Sequence, residues 1–232
     1  MAAIDRPEVL VFDVNETLID IESLNPYFAR VFGDSGVLRE WFGQLVTYSM
    51  TVTLAECYAD FFSLGQSVLR MIAEYRDVEL TDEDVLALTD AMASMPPHPD
   101  VPEGLSRLRD DGYRLVALTN SPSRAGCATP LERAGLGDYF ESRLSVDTLR
   151  VFKPAPALYR YAAQQADVAP SACMMVAAHV WDTIGAQAVG FGGALIMRPG
   201  NAPLRASVVP QPDLVAADVI CLARQLARTF RK

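Results

Sequence analysis

At 232 residues the chain can bury a substantial core, enough for one full domain and a smaller appendage but not for two unrelated large domains. With 50% hydrophobic and 21% charged residues it has the composition of an ordinary globular protein, not of a disordered one. The formal net charge of −9 argues against nucleic acid or an anionic membrane surface as a partner, because both require a basic footprint.

The opening segment Met1 to Pro7 lacks the basic flank and long apolar run of a targeting peptide, and later apolar stretches are interrupted before membrane-spanning length. A cytoplasmic address is expected. Cys57, Cys127, Cys173 and Cys221 are dispersed and form no CxxC pair, which suits reduced core thiols better than a disulfide frame or a zinc site.

Residues 8–14 form a short, almost wholly apolar run, as expected for a strand buried on both faces of a parallel sheet. From 20 to 96 the texture is helical: Asn25-Pro26 reads as a helix start, and apolar residues recur at helical spacing over 36–50, 54–76 and 81–94. Thr81 to Asp84 supplies a capping oxygen and acids for the last of these. Met95-Pro-Pro-His-Pro-Asp100 breaks the pattern, and helices then alternate with strands. The helix over 101–111 stops at Gly112, strand 113–119 follows, and a helical stretch runs to Gly135. Next come a strand near 143–146, a helix over 155–166, strand 173–178, helix 181–189, strand 193–197, and a last strand and helix from 213. This alternation predicts an α/β fold with a Rossmann-like, doubly wound parallel sheet. Residues 1–19 and 97–232 make that core, and 20–96 is an inserted helical-bundle cap.

Ligands of such sheets bind outside the carboxyl ends of the strands. Four polar clusters fall there: Asp13 with Thr17; Thr119, Asn120 and Ser121; Lys153; and His179 with Asp182. Together they offer a carboxylate nucleophile, hydroxyl and amide donors, a cation and a second carboxylate. Each alone has an ordinary reading as a helix cap, a solvated lysine or a satisfied histidine. Their recurrence at four strand ends points to one site.

These residues resemble motifs of the haloacid dehalogenase superfamily, and within it the type II, L-2-haloacid dehalogenase branch, over nearly the whole chain. Phe12-Asp13-Val-Asn-Glu-Thr17-Leu resembles the first motif, Leu118-Thr119-Asn120-Ser121 the second, and Ser145 through Lys153-Pro154 the third. Val180-Trp181-Asp182-Thr-Ile-Gly185-Ala186, followed by Arg198-Pro-Gly-Asn201, is similar to the last block. The resemblance implies that Asp13 displaces halide from the carbon beside a substrate carboxylate, forming an ester that water hydrolyses. It implies that Lys153 keeps Asp13 ionised, that Thr17, Thr119 and Asn120 donate to nucleophile or substrate, that Tyr159 stands near the lysine, and that Asp182 orients or activates the water.

Several positions depart from the family pattern. Phosphatases of the superfamily carry a second aspartate where this chain has Asn15, here counted among the substrate contacts, and further acids where it has Ala177-Ala178-His179. A magnesium-dependent phosphatase is therefore a rival reading, and no metal or other cofactor is expected. In the cap, Trp41 is followed by Phe42 where the branch has a halide-binding arginine, and Arg39 is placed to point elsewhere; Trp41 and Phe42 are read as pocket walls. His179 stands where the branch has asparagine and can exchange a proton near neutral pH. Two leaving groups stay open: halide by default, and the amine of a strained cyclic amino acid such as azetidine-2-carboxylate. A catalytically weak member kept for binding or regulation is a third reading. The partner expected is a small carboxylic acid, and a homodimer is left open.

Overall fold

Val9-Leu10-Val11-Phe12 offers water no polar side chain, and as β1 (Val9–Phe12) it lies wholly buried in the middle of a parallel sheet. A computed structural model describes residues 5–123 and 127–230. Within them the sheet has six strands: β1, β2 (Arg114–Thr119), β3 (Ser142–Ser145), β4 (Cys173–Ala177), β5 (Gly192–Ile196) and β6 (Leu214–Ala216). Their spatial order is β3-β2-β1-β4-β5-β6, every pair parallel. Connections run to opposite sides of β1, so the chain order switches there and a crevice opens beyond its carboxyl end. Asp13 is the first residue past that end, and its backbone N–H donates to Val176 O of β4 at 3.0 Å.

Between β1 and β2 lie α1 (Asn25–Phe32), α2 (Val37–Leu54), α3 (Phe61–Tyr75) and α4 (Asp82–Ala93). The predicted helix over 54–76 is shorter at its start, because α2 runs on to Leu54, Glu56 adopts φ 55°, and Asp60 caps α3 by accepting from the N–H groups of Phe62 and Ser63. Thr81 and Asp84 close a reciprocal capping box at the start of α4, where the sequence placed one. The remaining helices are α5 (Val101–Asp110), α6 (Pro130–Arg133), α7 (Pro156–Gln165), α8 (Val180–Gln187) and α9 (Val219–Thr229). The helical stretch predicted up to Gly135 is a single turn, α6, and 124–126 lie outside the described residues. Of the four thiols only Cys173 is buried; Cys57 and Cys127 are exposed, which corrects the expectation of core thiols. No described helix is long and apolar enough to cross a membrane.

Candidate active site

The loop leaving β1 turns back on itself at Glu16, which takes φ 66°, and this returns Thr17 to the strand end. There the Thr17 hydroxyl donates to Asp13 Oδ2 at 2.6 Å and accepts from Ala178 N at 2.8 Å, tying the loop to the end of β4. Lys153, in the segment before α7, places its ammonium 2.6 Å from Asp13 Oδ1 and 3.0 Å from Asp182 Oδ2. Asp182 sits in the first turn of α8 and accepts from the Tyr159 hydroxyl at 2.9 Å. Asp13, Lys153, Tyr159 and Asp182 are all buried. The close seat of α8 depends on Gly185, where a Cβ would fall 2.7 Å from both Pro154 and Tyr159.

His179 is the residue immediately before α8. Its Nδ1 lies 3.3 Å from Asp13 Oδ2 and its Nε2 lies 2.7 Å from Glu16 Oε2. Both ring nitrogens thus face carboxylates, an arrangement that only the doubly protonated imidazolium satisfies as a donor on each side. The ring stacks on Trp181 at 4.2 Å between centroids and packs against Phe42 at 5.7 Å. Behind Glu16, the Arg39 guanidinium pairs with Glu16 and Glu22 and donates to Pro199 O at 2.9 Å.

These contacts set the charges. Burial works against an ionised Asp13, but the Lys153 ammonium and the His179 ring outweigh it and hold the carboxyl well below its usual range. Burial likewise works against a charged His179, yet its hydrogen bonds to Asp13 and Glu16 push it up to about 9. Glu16 is lowered by His179 and Arg39 despite burial, and Lys153 is raised by Asp13 and Asp182 despite burial. Asp182 is raised by burial, which the nearby lysine only partly offsets.

Over Asp13, Lys153 and His179 lies a cavity of about 10 Å³, room for about one water, walled by Asn15, Phe42, Val46, Phe61, Asn120 and Trp181. Of the residues singled out in the sequence, Asp13, Asn15, Thr17, Phe42, Asn120, Lys153, Tyr159, His179 and Asp182 converge here. Two do not. The Thr119 hydroxyl accepts from Ser121 N at 3.0 Å and does not line this cavity. Trp41 donates to Gly65 O at 2.9 Å and lines a separate apolar void that shares Asn15, Phe42 and Phe61 with this cavity. Glu16, Val46, Phe61 and Trp181 also stand here, although no role followed for them from the sequence, where Phe61 reads as one of several cap aromatics. For Glu16 the available signal was an acid inside the otherwise uncharged stretch Val14–Ile19.

Ligand atoms of Asp13, His179 and Asp182 lie within 4.8 Å of one another, a spacing a metal ion can span. The donors do not fit magnesium, which wants an octahedron of oxygens. The Lys153 ammonium already bridges both aspartates, and the imidazole is held by Glu16.

A parallel sheet with a buried, lysine-paired aspartate at its switch point places the chain among hydrolases of α/β fold. The chain belongs to the haloacid dehalogenase-like hydrolases, whose family model matches residues 7–190. It is similar to (S)-2-haloacid dehalogenase 4A of Burkholderia cepacia, with 31% identity over 204 residues covering 86% of this chain and 87% of that one. An (S)-2-haloacid dehalogenase of Pseudomonas sp. (strain YL) is 29% identical over 194 residues, 83% of each chain. Among solved structures, the L-2-haloacid dehalogenase of Xanthobacter autotrophicus superposes with a TM-score of 0.85 at 25% identity, covering 95% of this chain and 98% of that one.

Proposed function

We propose that this hydrolase converts a small 2-haloacid to a 2-hydroxy acid through an ester on Asp13. The observation that carries the reading is the ionised Asp13 carboxylate, buried at the floor of a small cavity and braced by Lys153 and Thr17. An Asp13 oxygen attacks C2, the carbon–halogen bond breaks, and halide leaves with the bonding pair. The Asn120 amide on the cavity wall is available to the substrate carboxylate. Forming the ester removes the Asp13 charge, so His179 loses one of the two anions that hold its proton. Glu16 keeps the proton on Nε2, the Nδ1 proton passes to solvent with the departing halide, and Nδ1 becomes a base facing the ester. Water gives a proton to Nδ1 while its oxygen bonds to the Asp13 carbonyl carbon. The bond from that carbon to the substrate oxygen then breaks, the alkoxide takes the proton from Nδ1, and the Asp13 carboxylic acid passes its remaining proton to Nδ1, which restores both the carboxylate and the imidazolium. Residues 20–96, on this reading, act as a cap that shuts water out.

A second leaving group has its own support. The amide oxygens of Asn15 and Asn120 are buried without a partner among the described residues, and an ammonium would satisfy them. With azetidine-2-carboxylate, attack at C2 breaks the C2–N bond and the nitrogen takes its proton from His179.

One panel tests both readings: halide release from short 2-haloacids, ring opening of azetidine-2-carboxylate, and phosphate release from an aryl phosphate with magnesium. Halide release that disappears in Asp13→Asn, with oxygen-18 from labelled water entering Asp13 in a single turnover, is the expected result. Label in the product alone, or magnesium-dependent phosphate release without halide, would overturn it.

A further inference from the structure

Arg39 has no place on the cavity wall, yet it is among the most heavily engaged cations in the molecule. Its guanidinium meets Glu16 of the β1 loop, Glu22 of the turn before α1, and the carbonyl of Pro199 beyond β5. A Cβ at Gly200 would lie 3.1 Å from its Cζ, so the β5 loop closes on it at van der Waals range. These contacts answer whether Arg39 stands in for a halide-binding cation. It would have to abandon two carboxylates to turn inward, and Glu16 would then stay buried, 3% exposed, against His179 alone.

Geometry gives Arg39 a different task. It is carried by α2, whereas Glu16, His179 and Asp13 all belong to loops at the sheet edge. The side chains form one line: Glu22 and Arg39, then Glu16, then His179, then Asp13. An ordinary surface bridge between exposed groups contributes little. This one ends on a buried carboxylate whose only other charged contact among the described residues is the imidazole.

We propose that Arg39 is a positioning residue: seated on the sheet edge by α2, it fixes Glu16 against His179 and so governs the step that hydrolyses the Asp13 ester. The proposal rests on the ester reading above. A positive charge behind Glu16 weakens the hold of that carboxylate on the imidazole proton, which favours the neutral ring the hydrolytic step requires. The other charged or titratable groups around His179 are Asp13, Lys153 and Asp182 inside the site, with His98 on the Glu16 carbonyl and Arg198 on the Thr17 carbonyl. None of these leaves with Arg39, so substitution there isolates its contribution.

The test compares wild type, Arg39→Met and Arg39→Lys. The chain has two histidines, so the His179 titration can be followed by NMR without substrate, with His179→Gln identifying its signal. Arg39→Met should raise the His179 midpoint by about one pH unit, the scale of one nearby charge in a partly screened site. In rapid quench with a 2-haloacid, the same variant should form ester at the wild-type rate but hydrolyse it about tenfold more slowly at neutral pH, with its pH profile moved to the alkaline side. Arg39→Lys should restore most of both. An unchanged or lowered midpoint in folded Arg39→Met overturns the proposal, as does a rate loss with no shift in pH profile. Wild type that titrates as expected but forms no ester overturns the ester reading, and with it the catalytic half of the proposal. Ester that forms and hydrolyses equally in all three proteins overturns the role of Arg39 alone.

Discussion

A carboxylate withdrawn from water is driven to take up a proton, and Asp13 escapes that fate because Lys153 and His179 press on it from two sides. Lys153 serves two acids at once, so its loss strands both Asp13 and Asp182 in a dry site. Lys153→Met should destabilise the fold by about 3–5 kcal/mol at pH 7.5, the usual cost of breaking a buried pair from one side. The deficit should shrink towards pH 5 as the stranded carboxylates take up protons. Urea unfolding at the two pH values measures it, and an equal deficit at both would show that the lysine matters for packing and not for charge. At this scale the first motif was readable from sequence because polar side chains recur at four strand ends; an aspartate alone after an apolar strand reads equally as a helix cap. The role of Glu16, unlike its oddity as the one acid in its stretch, was not readable, because it lies in partners 23 and 163 positions away.

Helix placement at the sheet edge depends on two glycines under the same steric demand. Gly185 lets α8 approach Pro154 and Tyr159, and at Gly104 on α5 a Cβ would meet Val219 at the start of α9 at 2.6 Å. Alanine at either position should cost about 1–3 kcal/mol, the range for overpacking a filled core. Their effects on catalysis should separate. Gly185→Ala pushes on Tyr159, which holds Asp182, so kcat should fall at least tenfold, whereas Gly104→Ala should leave kcat within about twofold of wild type. Denaturation midpoints and steady-state kinetics on both variants check this, and parallel losses of kcat would refute it. Helix existence followed from apolar spacing at this scale, while the break between α2 and α3 came from Glu56 and Asp60, whose turn and capping roles interrupt a helical pattern that otherwise runs through.

Over the whole molecule, the site and the fold share the same charges. Arg198 donates to the Thr17 carbonyl at 3.1 and 2.9 Å and to both oxygens of Asp100, which also accepts from Val219 N at the start of α9. The β1 loop is therefore tied to the last helix. Folding raises His179 to about 9, above its unfolded value of about 6.5. Its contribution to stability is complete below about pH 6.5 and is lost as the pH rises through about 9. Asp13, Glu16 and Asp100 are lowered by folding, so their contribution is present above about pH 4 and is lost as the pH falls through their lowered values. Urea midpoints should be highest near pH 5–6.5 and should decline towards pH 9.5, and His179→Gln should flatten the alkaline decline. A midpoint that holds or rises at pH 9.5 in wild type would contradict the assignment of charge to His179.

Amino-acid order alone determined the alternation of strands and helices, the helical insertion after β1 and the strand-end position of Asp13, Asn120, Lys153, His179 and Asp182. These features are local: apolar period, caps and chain breaks state which face of an element is buried and where it ends. Tertiary structure decided which strand-end side chains meet. It set Trp41 against Phe42, brought Phe61 to the cavity wall and placed Arg39 against Glu16. Those outcomes depend on how α2 and α3 lie across the sheet edge, and no local pattern encodes the angle at which one packed element crosses another.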